Sequence, residues 1–485
     1  NGFMSLRSTP QRPAGQGQNG STTQGGVSPQ VVSNDVATGF QWHLTMIRKT
    51  APLPALSTTP PTIAVIDTGV DYTHTDLSGK VLLGLNTLTG TLDPFDDHGN
   101  GTAMAGIAAA KAGNGLYGEG VSPNSRILAV KVLGPNGVGT FSNIAVGMSY
   151  ARLYVPPAGV PAVRVLTMGV SGPPSALIAT QVNAIKIAGK VLVAAAGDFN
   201  SSTFLSYPGA DPNTALRVTA TQEGNCRYSF SNFSSTANPA LYNIAAPGFN
   251  IPSTLPDERF GPISGTAMAA PMVAGAAALL LGQFPALTRD QLVARIVNNA
   301  QPTTCGYGAP TRVLDVRKAI LGTPETGVIG QVLDPTTGKS PTPNTVSATV
   351  QVLNGTTVVA SDPTNRGGWY EMTGLTAGPR RLSATKPGYN TTLSPLFNET
   401  IGSLLTKDAT PLTKTRPAGD VTVTVNWKTT QPNIHTAGCG ATCVGHELDL
   451  VVKTPGNIYV GPNGNSGDLF ASPFVKSPRD SRDDD

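Results

Sequence analysis

Asp67 ends the apolar run Ile63-Ala-Val-Ile and is followed by Thr68-Gly69. A carboxylate there would sit at the carboxyl edge of a parallel sheet, where open α/β sheets bind their ligands. Placed so, it can orient an imidazole base. The base takes the proton of a serine nucleophile while fixed donors hold the developing oxyanion. Alone, Asp67 reads more simply as a polar strand end. It is accompanied, however, by two glycine-flanked segments, Gly99-Asn-Gly-Thr-Ala-Met-Ala-Gly106 and Gly265-Thr-Ala-Met-Ala-Ala-Pro271.

The surrounding text alternates two periods. Residues 62–66, 126–132, 163–168, 191–196 and 215–220 are unbroken apolar or β-branched runs, as expected of parallel strands covered on both faces. Between and after them, residues 102–112, 142–153, 175–188, 268–284 and 289–298 carry helical patterns. This alternation predicts an α/β sandwich around a parallel sheet. Thr266 fits a helix N-cap. After Leu321 the segment Gly322-Thr-Pro-Glu-Thr-Gly reads as a linker. Beyond it, Val328-Ile-Gly-Gln-Val-Leu, Ser347-Ala-Thr-Val-Gln-Val-Leu and Gly368-Trp-Tyr-Glu-Met alternate between turns, which predicts all-β C-terminal modules. The expected organisation is a disordered leader over 1–30, an α/β domain over 31–321, a β-sandwich over 327–413 and a partial β domain over 417–485. In that last part, Asp420-Val-Thr-Val-Thr-Val-Asn-Trp and Glu447-Leu-Asp-Leu-Val-Val-Lys read as strands.

Charged residues make up only 13% of the 485 and the formal net charge is +4. No basic stripe marks a nucleic-acid binder. The longest apolar run, 267–281, is shorter than the ~20 residues a span needs and contains Pro271, so it reads as a buried core helix. Cys226 and Cys305 fall in the α/β part and Cys439 and Cys443 in the last part, a split compatible with two disulfides.

The three segments, in order, strongly resemble the motifs of the subtilisin family of serine peptidases. Ile63-Ala-Val-Ile-Asp-Thr-Gly is similar to the aspartate motif, Asp96-Asp-His-Gly-Asn-Gly-Thr-Ala-Met-Ala-Gly106 to the histidine motif, and Ser264-Gly-Thr-Ala-Met-Ala-Ala-Pro-Met-Val-Ala-Gly275 to the serine motif. Val191-Leu-Val-Ala-Ala-Ala-Gly-Asp198 matches the strand that delivers the oxyanion asparagine. The resemblance covers about 41–321 and implies a subtilisin-like three-layer sandwich. It also implies that Asp67 is the family aspartate, that Asn100 stands at the histidine, Ala267 at the serine and Asp198 at the oxyanion asparagine. Where the family writes Gly-His-Gly-Thr-His-Val-Ala-Gly, this chain has Ala103 and Met104 in the last His-Val pair. Met272 replaces a further histidine. His98 lies too far along a loop to serve as a displaced base. An anion at 198 would repel an oxyanion. Gly169, Val170 and Ser171 stand where the family has Ser-Leu-Gly and would supply a backbone rail for an extended peptide.

The resemblance therefore implies a secreted peptidase homologue that has lost its base and nucleophile and binds a peptide or protein through the old cleft. An exposed apolar cleft at 169–171 would fit that role. The alternatives are an active serine endopeptidase altered at these positions and a purely structural or adhesive protein. No cofactor and no metal site is expected. Calcium occurs in the family, yet Asp76 with the loop 109–120 offers few side-chain oxygens, chiefly Asn114 and Glu119. Residues 327–411 resemble the carboxypeptidase-regulatory-like (Cna-B-like) β-sandwich, and the 420 and 449 strands a jelly-roll module. These modules would serve as spacers or contact an extracellular surface or carbohydrate. Asn232, Asn354, Asn390 and Asn398 lie in glycosylation sequons.

Overall fold

A computed structural model describes residues 3–5, 35, 41–49, 57, 59–303, 305–309, 311–322, 326–332, 348–364, 368–387, 389–399, 404–406, 409, 412, 452–453 and 459–460. The strand expected from Asp420, the pair Cys439 and Cys443, and most of the leader lie outside these residues. The chain divides into a unit spanning 1–417 and a second spanning 418–485.

The first unit is built on a nine-stranded sheet. Its strands are β2 (Thr62–Asp67), β3 (Val81–Asn86), β4 (Ile127–Lys131), β6 (Val163–Met168), β7 (Val191–Ala195), β8 (Leu216–Thr221), β9 (Ile244–Pro247), β12 (Gln301–Thr303) and β13 (Thr311–Val313). The order across the sheet is β12-β13-β9-β8-β7-β6-β2-β4-β3, parallel throughout except for the β12–β13 pair. Four short strands lie outside it in two pairs: β1 (Phe3–Ser5) with β5 (Val138–Thr140), and the hairpin of β10 (Ile251–Leu255) and β11 (Arg259–Ile263).

Helices cover both faces. They are α1 (Trp42–Met46), α2 (Asn100–Ala109), α3 (Phe141–Leu153), α4 (Ala176–Ile187), α5 (Thr266–Gln283), α6 (Arg289–Asn299) and α7 (Val316–Leu321). The period of two sorts side chains between the layers. Along β2, Ile63 and Val65 join Met104, Met268 and Val273 of α2 and α5 in one core. Ala64 and Ile66 join Ile144, Met148 and Ile178 of α3 and α4 in the other. This is the α/β sandwich around a parallel sheet that the alternation predicts.

Helix α5 is long and apolar enough to cross a membrane, but 89% of it is buried at the centre of the first core. That is the core-helix expectation for this run. Small residues let it approach α2: a Cβ at Gly275 would fall 2.9 Å from Ala108 O. Cys226 and Cys305 form a disulfide across 79 residues.

A second, strand-rich part follows with its own core of Val328, Val350, Val352, Tyr370 and Leu382. It contains β14 (Gly327–Gln331), β15 (Thr349–Asn354), β16 (Thr357–Pro363), β17 (Trp369–Thr373) and β18 (Gly378–Thr385). β17 pairs with β14, and β15 lies between β16 and β18, all antiparallel. In the second unit the described residues form one antiparallel pair, Val452–Lys453 with Tyr459–Val460.

Candidate active site

The carboxyl ends of β2 and β7 and the N-termini of α2 and α5 bring Asp67, Asn100, Asp198 and Ala267 into one region. Asp67 is the last residue of β2, and its Oδ1 accepts the Thr68 N–H at 2.9 Å. The next turn fixes α2: Thr68 Oγ1 accepts the Gly101 N–H at 2.9 Å. Asp96 caps the same helix start. Its Oδ1 accepts the His98 and Gly99 N–H groups, and its Oδ2 accepts both the N–H and the hydroxyl of Thr102. The helix begins at Asn100, two residues before the apolar-periodic run from Thr102.

Asn100 takes the first helical position, fully buried, and its Nδ2 donates to Asp67 Oδ1 at 2.9 Å. The same Nδ2 lies 3.5 Å from Met104 Sδ, one turn on. Burial pushes the Asp67 carboxyl up from 3.8 to about 7, against the lowering effect of the Asn100 and Thr68 hydrogen bonds; Asp96 raises it further. A carboxyl facing an amide instead of an imidazolium has no cation to hold it ionised.

Ala267 is the second residue of α5 and is buried. Gly169 shows how tightly the groups converge. A Cβ added there would fall 2.8 Å from the Ala267 methyl, and 3.0 Å from both Asp67 Oδ2 and Met104 Sδ. No side chain fits at 169 without displacing one of them. An amide, a thioether and a methyl therefore meet around a carboxyl. At position 100 an amide takes up no proton near neutrality, and at position 267 a methyl has no lone pair.

Two expectations about this region are corrected. Thr266 is not the N-cap of α5; Gly265 holds that position and Thr266 begins the helix. Its hydroxyl instead accepts the Gly197 N–H at 3.0 Å. Asp198, expected to confront an oxyanion, turns its carboxylate to the helix start, where Oδ1 accepts the Thr266 N–H at 2.9 Å. This satisfies one of the free N–H groups of a helix N-terminus. Burial raises the Asp198 carboxyl to about 6, the Thr266 donors opposing.

The expected open cleft at 169–171 is also absent. Val170 is buried in the core with Met168 and Ile144, and Ser171 is buried. Gly172 pairs with Tyr207 through two backbone hydrogen bonds of 2.9 and 3.1 Å. What this segment can offer is main chain. Strand β5 carries an occupied edge: β1 pairs with it antiparallel, Phe3 opposite Thr140 and Ser5 opposite Val138.

His98 is half-buried in the capping loop, and burial lowers the pKa of its imidazole. Met272 is fully buried and Ser264 Oγ accepts the Asn250 N–H. Near Asp76, Oδ1 accepts Asn114 Nδ2 at 2.8 Å, while Asp35 accepts the N–H groups of Gly113, Asn114 and Gly115. Glu119 pairs with Lys49. In this arrangement these oxygens accept from N–H donors and a lysine. Among the described residues no cluster of three metal-ligating side chains occurs. The sequon at Asn232 is closed as well: its buried side chain bonds Phe199 N, Ser201 N and Ala196 O.

The Subtilase family model matches residues 59–324. A thermophilic serine proteinase of Bacillus sp. (strain AK1) is 42% identical over 224 residues, covering 46% of this chain and 52% of that protein. Subtilisin BL of Lederbergia lenta is 37% identical over 239 residues, 49% of this chain and 82% of that one. The chain thus spans about half of the first relative's length. Among solved structures, a cold adapted subtilisin-like serine proteinase aligns with a TM-score of 0.50 at 29% identity, covering 59% of this chain and 99% of that chain.

Proposed function

The chain belongs to the subtilase family, and on that premise we propose that its α/β domain is a secreted pseudopeptidase, one that binds an extended peptide or protein segment at the former cleft without cleaving it. The observation that carries this reading is the hydrogen bond between Asn100 Nδ2 and Asp67 Oδ1 beside the Ala267 methyl. It fills the place of the base and leaves the nucleophile position inert. Removal of a whole triad typically leaves only about 10³–10⁴-fold acceleration over water. With Asp198 engaged at the helix start, the side-chain oxyanion donor is missing too, worth another ~10²–10³.

The edge of β5 can pair through main chain, as β1 does, and a partner strand would take the place of β1 there. Strand addition uses backbone groups, so the rail can act on a partner whatever the side chains at Gly169, Val170 and Ser171. The second reading, an active endopeptidase with exchanged residues, is favoured by a relative that is named as a serine proteinase.

Fluorescence anisotropy of labelled, unfolded casein with the full chain tests the binding half. The expected result is saturable binding that weakens at least tenfold in Gly139→Val, because a Cβ there collides with the backbone oxygen of Val132 and displaces β5. No binding, or binding indifferent to Gly139→Val, would overturn it.

A further inference from the structure

Arg48 shares no residue with the site above and is the largest fully buried side chain among the described residues, at 1% exposure. It stands just after α1 with a positive φ of 57°. Guanidinium stays charged in a protein, so burying it demands anions with good geometry. Two are present. Nη1 donates to Asp315 Oδ2 at 3.1 Å, and Nε donates to Glu371 Oε1 at 2.7 Å. Both carboxylates are buried.

These partners belong to different parts of the fold. Asp315 caps α7, the last helix of the α/β domain, accepting the Lys318 N–H at 2.8 Å on Oδ1. Its Oδ2 also accepts Gln301 Nε2 at 3.2 Å. Glu371 lies on β17 of the strand-rich part. Arg317, next to the cap, acts favourably on Glu371 as a second cation. Around this set, Ile47 O accepts the Val316 N–H, α1 packs on β17, and Glu223 hydrogen-bonds Gln331 of β14. One arginine thus ties the segment after α1, the cap of α7 and the strand-rich part together.

We propose that Arg48 is an internal docking residue that captures Glu371 and fixes the strand-rich part to the α/β domain as one cooperative body. The strand-rich part is then a structural wall of the molecule and not a freely hinged spacer. Buried ion pairs add little net stability over apolar replacements but penalise every arrangement in which one charge is left alone. That is the property a docking specifier needs.

Calorimetry of the full chain tests this, with hydrogen exchange as the local readout. The unaltered chain melts both parts in one transition. Glu371→Ala splits it, moves the strand-rich transition down by at least about 5 °C, and raises amide exchange in β17 at least tenfold while β6 is unchanged. Glu371→Gln, which keeps an acceptor for Nε, gives an intermediate split and remains readable if the alanine variant does not fold. Arg48→Met combined with Glu371→Ala shifts the strand-rich transition by less than the sum of the single variants. Two independent transitions in the unaltered chain, unchanged β17 exchange in Glu371→Ala and Glu371→Gln, or additive shifts would each overturn the proposal.

Discussion

Asp67 and Arg48 are both buried ionisable groups, yet the chain treats them oppositely. Arg48 is met by two carboxylates, with Arg317 acting on one of them. Asp67 is met by an amide, a backbone N–H and apolar atoms. Charge is matched by charge where the fold needs one arrangement. At Asp67 the neighbours are neutral donors, and burial moves the carboxyl toward its neutral form. The difference teaches that the scaffold tolerates an unpaired acid there because protonation removes its charge, an escape that guanidinium lacks.

The largest expected effect lies in the chemistry at Asp67. Restoring a cation partner and nucleophile with Asn100→His and Ala267→Ser should raise casein hydrolysis at least ~10³-fold over the unaltered chain, given what triads contribute. Met104→Val should raise it further. Met104 Sδ now fills space beside position 100 and crowds position 169.

Denaturant unfolding sharpens the comparison next. Arg48→Met strands two buried carboxylates and should cost about 3–5 kcal/mol. Asn100→Ala removes one neutral donor from Asp67 and should cost about 1–3 kcal/mol. Equal costs would erase the distinction between the two regions.

The pH dependence follows from the direction of the Asp67 shift. Its folded pKa, about 7, lies above the ordinary 3.8. The folded state therefore holds the proton more tightly, and this contribution is full below about pH 4. It is lost as pH rises through 7, with an amplitude on the order of 4 kcal/mol. Asp67→Asn should flatten the stability profile between pH 4 and 7 and gain relative to the unaltered chain above it. A profile unchanged by this substitution would show that Asp67 stays ionised. The smallest effect is at Asp198. Alanine there removes the acceptor of the Thr266 N–H and should cost about 1 kcal/mol, whereas asparagine keeps it and should cost a few tenths.

Much of the fold was legible because the core strands are apolar on both faces. β2, β4, β6, β7 and β8 lie within a residue or so of the expected runs. β3 was missed: it is an edge strand, half-buried, with Gly84 at its centre. The role of Thr266 was misread because its partners, Gly197 and Asp198, come from 69 and 68 residues away. The candidate site residues were found by local motif. Nothing local signalled Arg48: its partners stand 267 and 323 residues downstream, and an isolated arginine near a helix end reads as a solvated charge.

Hydrolysis of fluorescein-labelled casein by the full chain, beside Asn100→His/Met104→Val/Ala267→Ser, tests the pseudopeptidase reading most directly. The expected result is no fluorophore release from the unaltered chain and clear release from the repaired one. Release by the unaltered chain that disappears in Asp67→Ala would contradict it.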